Sequence, residues 1–135
     1  MGNARLAVKA FVVDQERLLI VQRDNSDVQQ PGIWELPGGR LEVGEDPFLG
    51  LQREVKEEVG VDVDVLYPLT VRYFTRSDGQ VVTMIIFVCA PRTGEIVLSS
   101  EHVAYQWVDI SSATKHINEF FYQEVAEYMR RCVVV

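Results

Sequence analysis

Glu54, Glu57 and Glu58 are the residues of this 135-residue chain whose types and spacing point most directly at chemistry. Spacings of three and four put side chains on one face of an α-helix, within about 100° of arc at roughly 100° per residue. Carboxylates held that close repel one another unless a cation or protons sit among them. Phe48, Leu51, Val55 and Val59 form a separate apolar stripe, so one side of the predicted helix packs while the other presents oxygen ligands. Asp46 suits the N-cap, Pro47 the first turn and Gly60 the left-handed position past the end. Glu57 and Glu58 lie toward the negative end of the helix dipole, which suggests that something other than helix stability placed them there.

The elements that must hold this helix are readable on either side. Leu6 to Val13 and Arg17 to Arg23 form an opening hairpin across Asp14-Gln15-Glu16, followed by a polar loop from Asp24 to Gly32. Ile33 to Leu36 is a short extended piece, and Pro37-Gly38-Gly39 is predicted as a loop where backbone can approach a ligand closely. After the helix, Val61 to Leu66 and Thr70 to Thr75 are strand segments interrupted at Tyr67-Pro68 by a bulge or kink. Ser77-Asp78-Gly79-Gln80 is a hairpin turn leading into the apolar strand Val81 to Ala90. Tyr105 to Val108 is a last strand, Asp109 begins a loop, and Glu119 to Arg131 has a helical apolar pattern through Phe121 and Val125. Strands enclosing one central and one terminal helix make a single α/β domain over residues 1–135, without internal repeats.

Gly39, five residues, Glu45, seven residues, then Arg53-Glu54-Val55-Lys56-Glu57-Glu58-Val59-Gly60-Val61 resembles the Nudix box with no fixed position missing. LIVQR, GIWELPGG and Gln106-Trp107-Val108 also look like features of that family. The resemblance implies the Nudix fold, a mixed β-sheet sandwiched between helices. It implies Mg²⁺, with Mn²⁺ as a substitute, held by Glu54, Glu57, Glu58 and the Gly39 carbonyl. The implied reaction is attack of metal-activated water on a nucleoside triphosphate or related nucleoside diphosphate derivative, with MutT-like nucleotide clearance as the leading version. The alternatives are an ADP-ribose or other nucleoside diphosphate pyrophosphatase, or a nucleotide-binding regulatory domain without turnover. The competing reading of the glutamates alone is a solvated acidic helix face.

Around that core, Arg53 is expected to orient Glu54 by a bidentate pair. Glu45 is expected to support the loop or a contact behind the metal, and Gly50 to leave room beside the site. Glu101, in SSEHVAYQWV, occupies the region where a loop acid serves as metal ligand or general base, and equally reads as an ordinary loop glutamate. His102 reads as a surface or packing residue. Arg23 and Arg40 are candidate phosphate contacts, each also readable as a solvated arginine. Asn118 resembles the position where MutT-type enzymes read a guanine edge, although a helix N-cap is the preferred account. Trp34, Tyr73 and Phe74 are aromatic enough to stack on a base, with core packing preferred. The proline expected of ADP-ribose pyrophosphatases about sixteen residues past the box is absent from Thr75-Arg76-Ser77-Asp78.

The whole-chain balance sets outer limits. A net charge of −7 argues against a nucleic-acid surface and makes a cation necessary for any phosphate-bearing partner. Cys89 and Cys132 are too few for a metal knuckle, and Cys89 reads as a small core residue. No apolar run approaches the ~18 residues of a membrane span, so a cytoplasmic protein acting on a small nucleotide, as monomer or homodimer, is the expectation. Val133-Val134-Val135 has no functional reading.

Overall fold

A computed structural model describes residues 4–27 and 30–132, with Thr93 described by its backbone alone; Val133 to Val135 lie outside the described residues. Strand β1 (Ala4–Asp14) is the axis of the sheet. Its residues Ala7 to Val12 are all buried, which is why the run shows no polar alternation: both of its faces are covered. Val8, Ala10 and Val12 pack toward one core, Ala7 and Phe11 toward the other. Strand β2 (Arg17–Arg23) returns from β1 through the pairs Val13–Leu18 and Asp14–Arg17. The two-residue turn puts Gln15 at φ 51° and Glu16 at φ 64°, the left-handed geometry whose twist matches a hairpin, here without the usual glycine or asparagine.

Strand β3 (Trp34–Glu35) pairs with β2, and β4 (Gly38–Arg40) pairs antiparallel with β1 at Lys9–Gly38, Val8–Gly39 and Ala7–Arg40. The glycine pair expected as a loop is therefore part of the sheet. Gly38 has φ +143°, and a Cβ there would stand 2.7 Å from Lys9 Cα, so only glycine allows β4 to lie so close to β1. Helix α1 (Pro47–Val59) begins at Asp46, whose Oδ1 accepts from the Phe48 N–H at 2.7 Å and the Leu49 N–H at 3.3 Å. It ends at Gly60, φ 75°, whose N–H donates to the Lys56 carbonyl at 3.0 Å. Replacing Asp46 by alanine is expected to cost about 1 kcal/mol, read from urea denaturation. Leu51, Val55 and Val59 are fully buried, whereas Phe48 sits at the margin, half exposed with its ring 5.1 Å from Phe87.

Strand β5 (Asp62–Thr75) continues through Tyr67-Pro68, where two register shifts mark the expected bulge. It pairs antiparallel with β6 (Val81–Thr93), which lies parallel to β1. Strand β7 (His102–Asp109) starts earlier than expected and pairs with β2, completing a mixed sheet of seven strands among the described residues. The predicted loop after Asp109 is a 3₁₀ turn over Ile110–Lys115. The last predicted helix divides into a 3₁₀ turn, Glu119–Phe121, and α2 (Tyr122–Arg131). Helix α2 is pinned to β5 by fully buried Glu124, which accepts from Thr70 Oγ1 at 2.7 Å and pairs with Arg72 at 2.8 Å. The sheet thus carries α1 on one face and α2 on the other, the sandwich expected from sequence. Cys89 is fully buried in the α1-side core, where burial pushes its thiol up to about 12. No helix among the described residues is long and apolar enough to cross a membrane.

Candidate active site

The carboxyl-terminal half of α1 lies against β4, and this brings Glu54 and Glu58 to the glycine pair. A Cβ on Gly39 would stand 2.7 Å from Glu54 Oε2, so the missing side chain lets that carboxylate reach the backbone. Glu58 accepts from the Gly38 N–H at 3.1 Å through Oε2. The three glutamates differ sharply in solvent access: Glu58 is 4% exposed as a residue, while the side chains of Glu54 and Glu57 are 15% and 58% exposed. Glu58 is therefore not on the wet face where its spacing to Glu54 and Glu57 seemed to place it. The wheel contained the signal, because seven residues beyond Leu51 Glu58 points only about 20° away from it.

That burial sets the electrostatics. Desolvation raises Glu58 to about 7 despite the opposing pull of Lys9, His102 and the Gly38 N–H. Desolvation also raises Glu54, against Arg53, and neighbouring Glu57 adds to the rise. Glu54 and Glu58, which meet the adjacent residues Gly39 and Gly38, both resist ionisation, and carboxyls of that kind are donors that a hard divalent cation would satisfy. On this count the residues fit a divalent metal.

Arg53 is organised differently from the expectation. Its fork engages Glu45, Nε to Oε2 at 2.7 Å and Nη2 to Oε1 at 2.9 Å, while Glu54 receives a single 3.2 Å contact. Nη1 reaches Glu57 at 3.1 Å, so one guanidinium ties the helix-entry loop to the outer carboxylates. Glu45 also accepts from the Glu42 N–H, and these bonds, Arg53 first, hold its carboxyl at about 2. The Arg53 bond to Glu45 likewise raises the guanidinium. Gly50 leaves no open space, because Leu41 and Glu45 fill the room its side chain would take, with Glu45 Cδ 2.9 Å from a Cβ there.

The segment leading into β7 is stitched to the end of α1. The Val97 and Ser99 N–H groups donate to the carbonyls of Val59 and Glu58, each at 2.9 Å, and the Asp24 N–H donates to the Glu101 carbonyl at 3.1 Å. Glu101 is thereby suspended over Glu58: one oxygen from each, with a ring nitrogen of His102, lies within 4.8 Å of the others. Sequence separation of more than forty residues hides this approach, but the structure places Glu101 with the helix glutamates.

Beneath them is a buried charged cluster that sequence reasoning missed. Lys9 Nζ donates to Glu35 Oε1 and to the Leu36 carbonyl, both at 3.1 Å. Glu35 Oε2 meets His102 Nε2 at 2.9 Å and Arg23 Nε at 2.8 Å, the arginine close but poorly aligned for a hydrogen bond. Burial alone would raise Glu35, but Lys9, His102 and Arg23 outweigh it and leave the carboxyl at about 2. A single polar residue inside WELPGG was the available signal.

Of the remaining candidates, Arg23 is pledged to Glu35 and to Asp27 at 2.8 Å, and Arg40 is exposed at the end of β4. Asn118 caps the Glu119–Phe121 turn, its Oδ1 accepting from the Phe120 N–H at 2.8 Å, while its own N–H donates to the Trp34 carbonyl at 2.9 Å. Its amide nitrogen has no partner among the described residues. Trp34 and Phe74 pack partly buried against the core, but Tyr73 is 75% exposed and is not a packing residue.

The family model for the NUDIX domain matches residues 3–129. The chain belongs to the Nudix hydrolase family. It is 35% identical over 117 residues to a MutT-like protein of Streptomyces ambofaciens, covering 86% of this chain and 71% of that one. It is 33% identical over 118 residues to the nucleoside triphosphatase NudI of Salmonella schwarzengrund, covering 73% of this chain and 82% of that protein. Several Arabidopsis thaliana Nudix hydrolases are longer, and the matched part is less than half of each. Among solved structures, a MutT protein of Methanosarcina mazei Go1 superposes with a TM-score of 0.84 at 24% identity, covering 95% of this chain and 94% of that one, a likeness of fold. The segment that resembles the Nudix box runs from β4 through α1 and lies within the matched residues.

Proposed function

We propose that this Nudix chain is a divalent-cation-dependent pyrophosphohydrolase, with Mg²⁺ the ordinary ion. Its substrate class is a nucleoside triphosphate or a related nucleoside diphosphate derivative, cleaved to a monophosphate. The observation that carries the reading is the buried carboxyl of Glu58, raised to about 7, which accepts from the Gly38 N–H and lies with Glu101, while Glu54 reaches the neighbouring Gly39. When bound there, a divalent cation would supply a water of lowered pKa and positive charge to offset that on the phosphoryl oxygens. Glu54, Glu57, Glu58 and the Gly39 carbonyl would hold it, and Arg53 keeps the outer carboxylates in register. Glu101, exposed and close to Glu58, would accept the proton of an attacking water. With a chain charge of −7, cation loading is also what allows a polyanionic substrate to approach.

The nucleoside triphosphatase name of the Salmonella relative supports the triphosphate version, and the missing proline beyond the box weighs against ADP-ribose. The test is ³¹P NMR of a panel of nucleoside triphosphates, ADP-ribose and dinucleoside polyphosphates with Mg²⁺. Monophosphate should appear from at least one triphosphate and vanish with chelator. Metal-dependent nucleotide binding without product from any member overturns the enzyme reading in favour of a regulatory domain.

Asn118 bears on base choice. Its carbonyl oxygen is used by the cap, while the amide nitrogen stays available to a base edge. Asn118→Ala is expected to cost about 1 kcal/mol in thermal or urea melts, as for other lost caps. If the amide also reads the base, kcat/KM falls unequally across the bases; equal losses leave it a cap.

A further inference from the structure

His102 has a geometry that packing alone does not account for. The residue is 5% exposed, and its Nε2 lies 2.9 Å from Glu35 Oε2. Glu35 is an acceptor, since Lys9, His102 and Arg23 keep it ionised. The hydrogen of a neutral imidazole then resides on Nε2, and the lone pair on Nδ1. Nδ1 is buried and has no hydrogen-bond partner among the described residues. An idle buried acceptor carries a desolvation cost that native folds rarely leave uncompensated.

The surroundings supply a reason. One oxygen of Glu58, one of Glu101 and a ring nitrogen of His102 lie within 4.8 Å of one another. Donors on one cation at ~2.1 Å stand no more than about 4.2 Å apart, so closing the set needs less than an ångström of movement. Glu101 is exposed and free to make that movement, while Glu58 and His102 are fixed by burial. A carboxylate behind a histidine, locking the ring so that its other nitrogen faces a cation, is the recurrent arrangement behind metal-bound imidazoles.

We propose that His102 Nδ1, Glu58 and Glu101 form a mixed nitrogen and oxygen cation site that takes a first-row transition ion, such as Mn²⁺, in preference to Mg²⁺. Imidazole adds little for Mg²⁺, which favours oxygen and keeps its waters, but strengthens binding of softer divalent ions. The site shares Glu58 with the carboxylate set and so rests on the reading of Glu58 as a metal ligand. It does not depend on turnover. Lys9 and Arg23 both pair with Glu35, and His102 Nδ1 has no hydrogen-bond partner among the described residues.

The deciding measurement is pulsed EPR of the wild-type protein loaded with one equivalent of Mn²⁺ without nucleotide, paired with Mn²⁺ and Mg²⁺ binding isotherms. The expected result is ¹⁴N coupling from one directly bound imidazole, and Mn²⁺ affinity at least tenfold above that for Mg²⁺. His102→Gln, which can still donate to Glu35, should abolish the coupling. It should weaken Mn²⁺ about tenfold or more and change Mg²⁺ by less than threefold. Bound Mn²⁺ without nitrogen coupling overturns the site, as does an unchanged Mn²⁺ affinity in folded His102→Gln. If that variant does not fold, the wild-type spectrum still decides. Nitrogen coupling together with absent nucleotide turnover would retain this site while rejecting the hydrolase reading.

Discussion

Glu58→Gln is expected to lower kcat by about 10²–10⁴-fold, the range for a group that stabilises charge or manages a proton at the reacting centre. The same substitution is expected to make the metal-free protein more stable at pH 8, by about 3 kcal/mol. The folded carboxyl is raised from 4.5 to about 7 by burial, so between those values the folded state holds a proton that the unfolded chain has released. Stability supplied by that proton is full below the unfolded value and is lost as pH rises through the folded one. Glu54, also raised, adds to the same slope. Glu35 and Glu45, held at about 2, lose their contribution only as pH falls from the ordinary carboxylate range toward 2, outside this window. Glutamine cannot ionise, and its amide oxygen can still accept the Gly38 N–H. Urea denaturation in chelator at pH 5 and pH 8 measures the effect: wild type weakens over the interval, and the variant weakens much less. A variant less stable than wild type at pH 8 contradicts the assignment of burial as the cause.

Glu35→Ala is the second large effect, with an expected loss of about 3–5 kcal/mol, since it strips the partner from a buried ammonium. Lys9 would keep only the Leu36 carbonyl, Arg23 only Asp27, and the His102 ring would lose its Glu35 partner. By contrast Glu45→Ala removes a solvent-screened ion pair from Arg53 and is expected to cost far less. Measured side by side by chemical denaturation, the two should differ severalfold. A Glu35 variant within 1 kcal/mol of wild type would mean that Lys9 reaches solvent and that the cluster does not act as a unit.

Much of this architecture was legible because local chemistry and global packing agree in α1. Asp46, Pro47 and Gly60 mark its ends, and Leu51, Val55 and Val59 mark its buried side, as the structure has them. The hairpin of β1 and β2 and the pause at Tyr67-Pro68 were readable for the same reason. Three features were not. Gly38 and Gly39 read as a loop because glycine usually signals one, and only the close approach of β4 to β1 explains them as strand. Glu58 read as solvated because charge outranks position, although its angle on the helix wheel matched that of Leu51. The Lys9–Glu35–His102 cluster joins residues from β1, β3 and β7, and no periodicity within one segment can report a contact among strands so far apart in sequence.

The acidic site is expected to split a phosphoanhydride with water in a metal-dependent way. Turnover of the best triphosphate in H₂¹⁸O, with products read by mass spectrometry, tests it most directly. One solvent oxygen should enter a single phosphoryl product with Mg²⁺ or Mn²⁺, and neither label nor product should appear in chelator. Label incorporation that persists without divalent cation, or metal-dependent nucleotide binding with no labelled product, would contradict it.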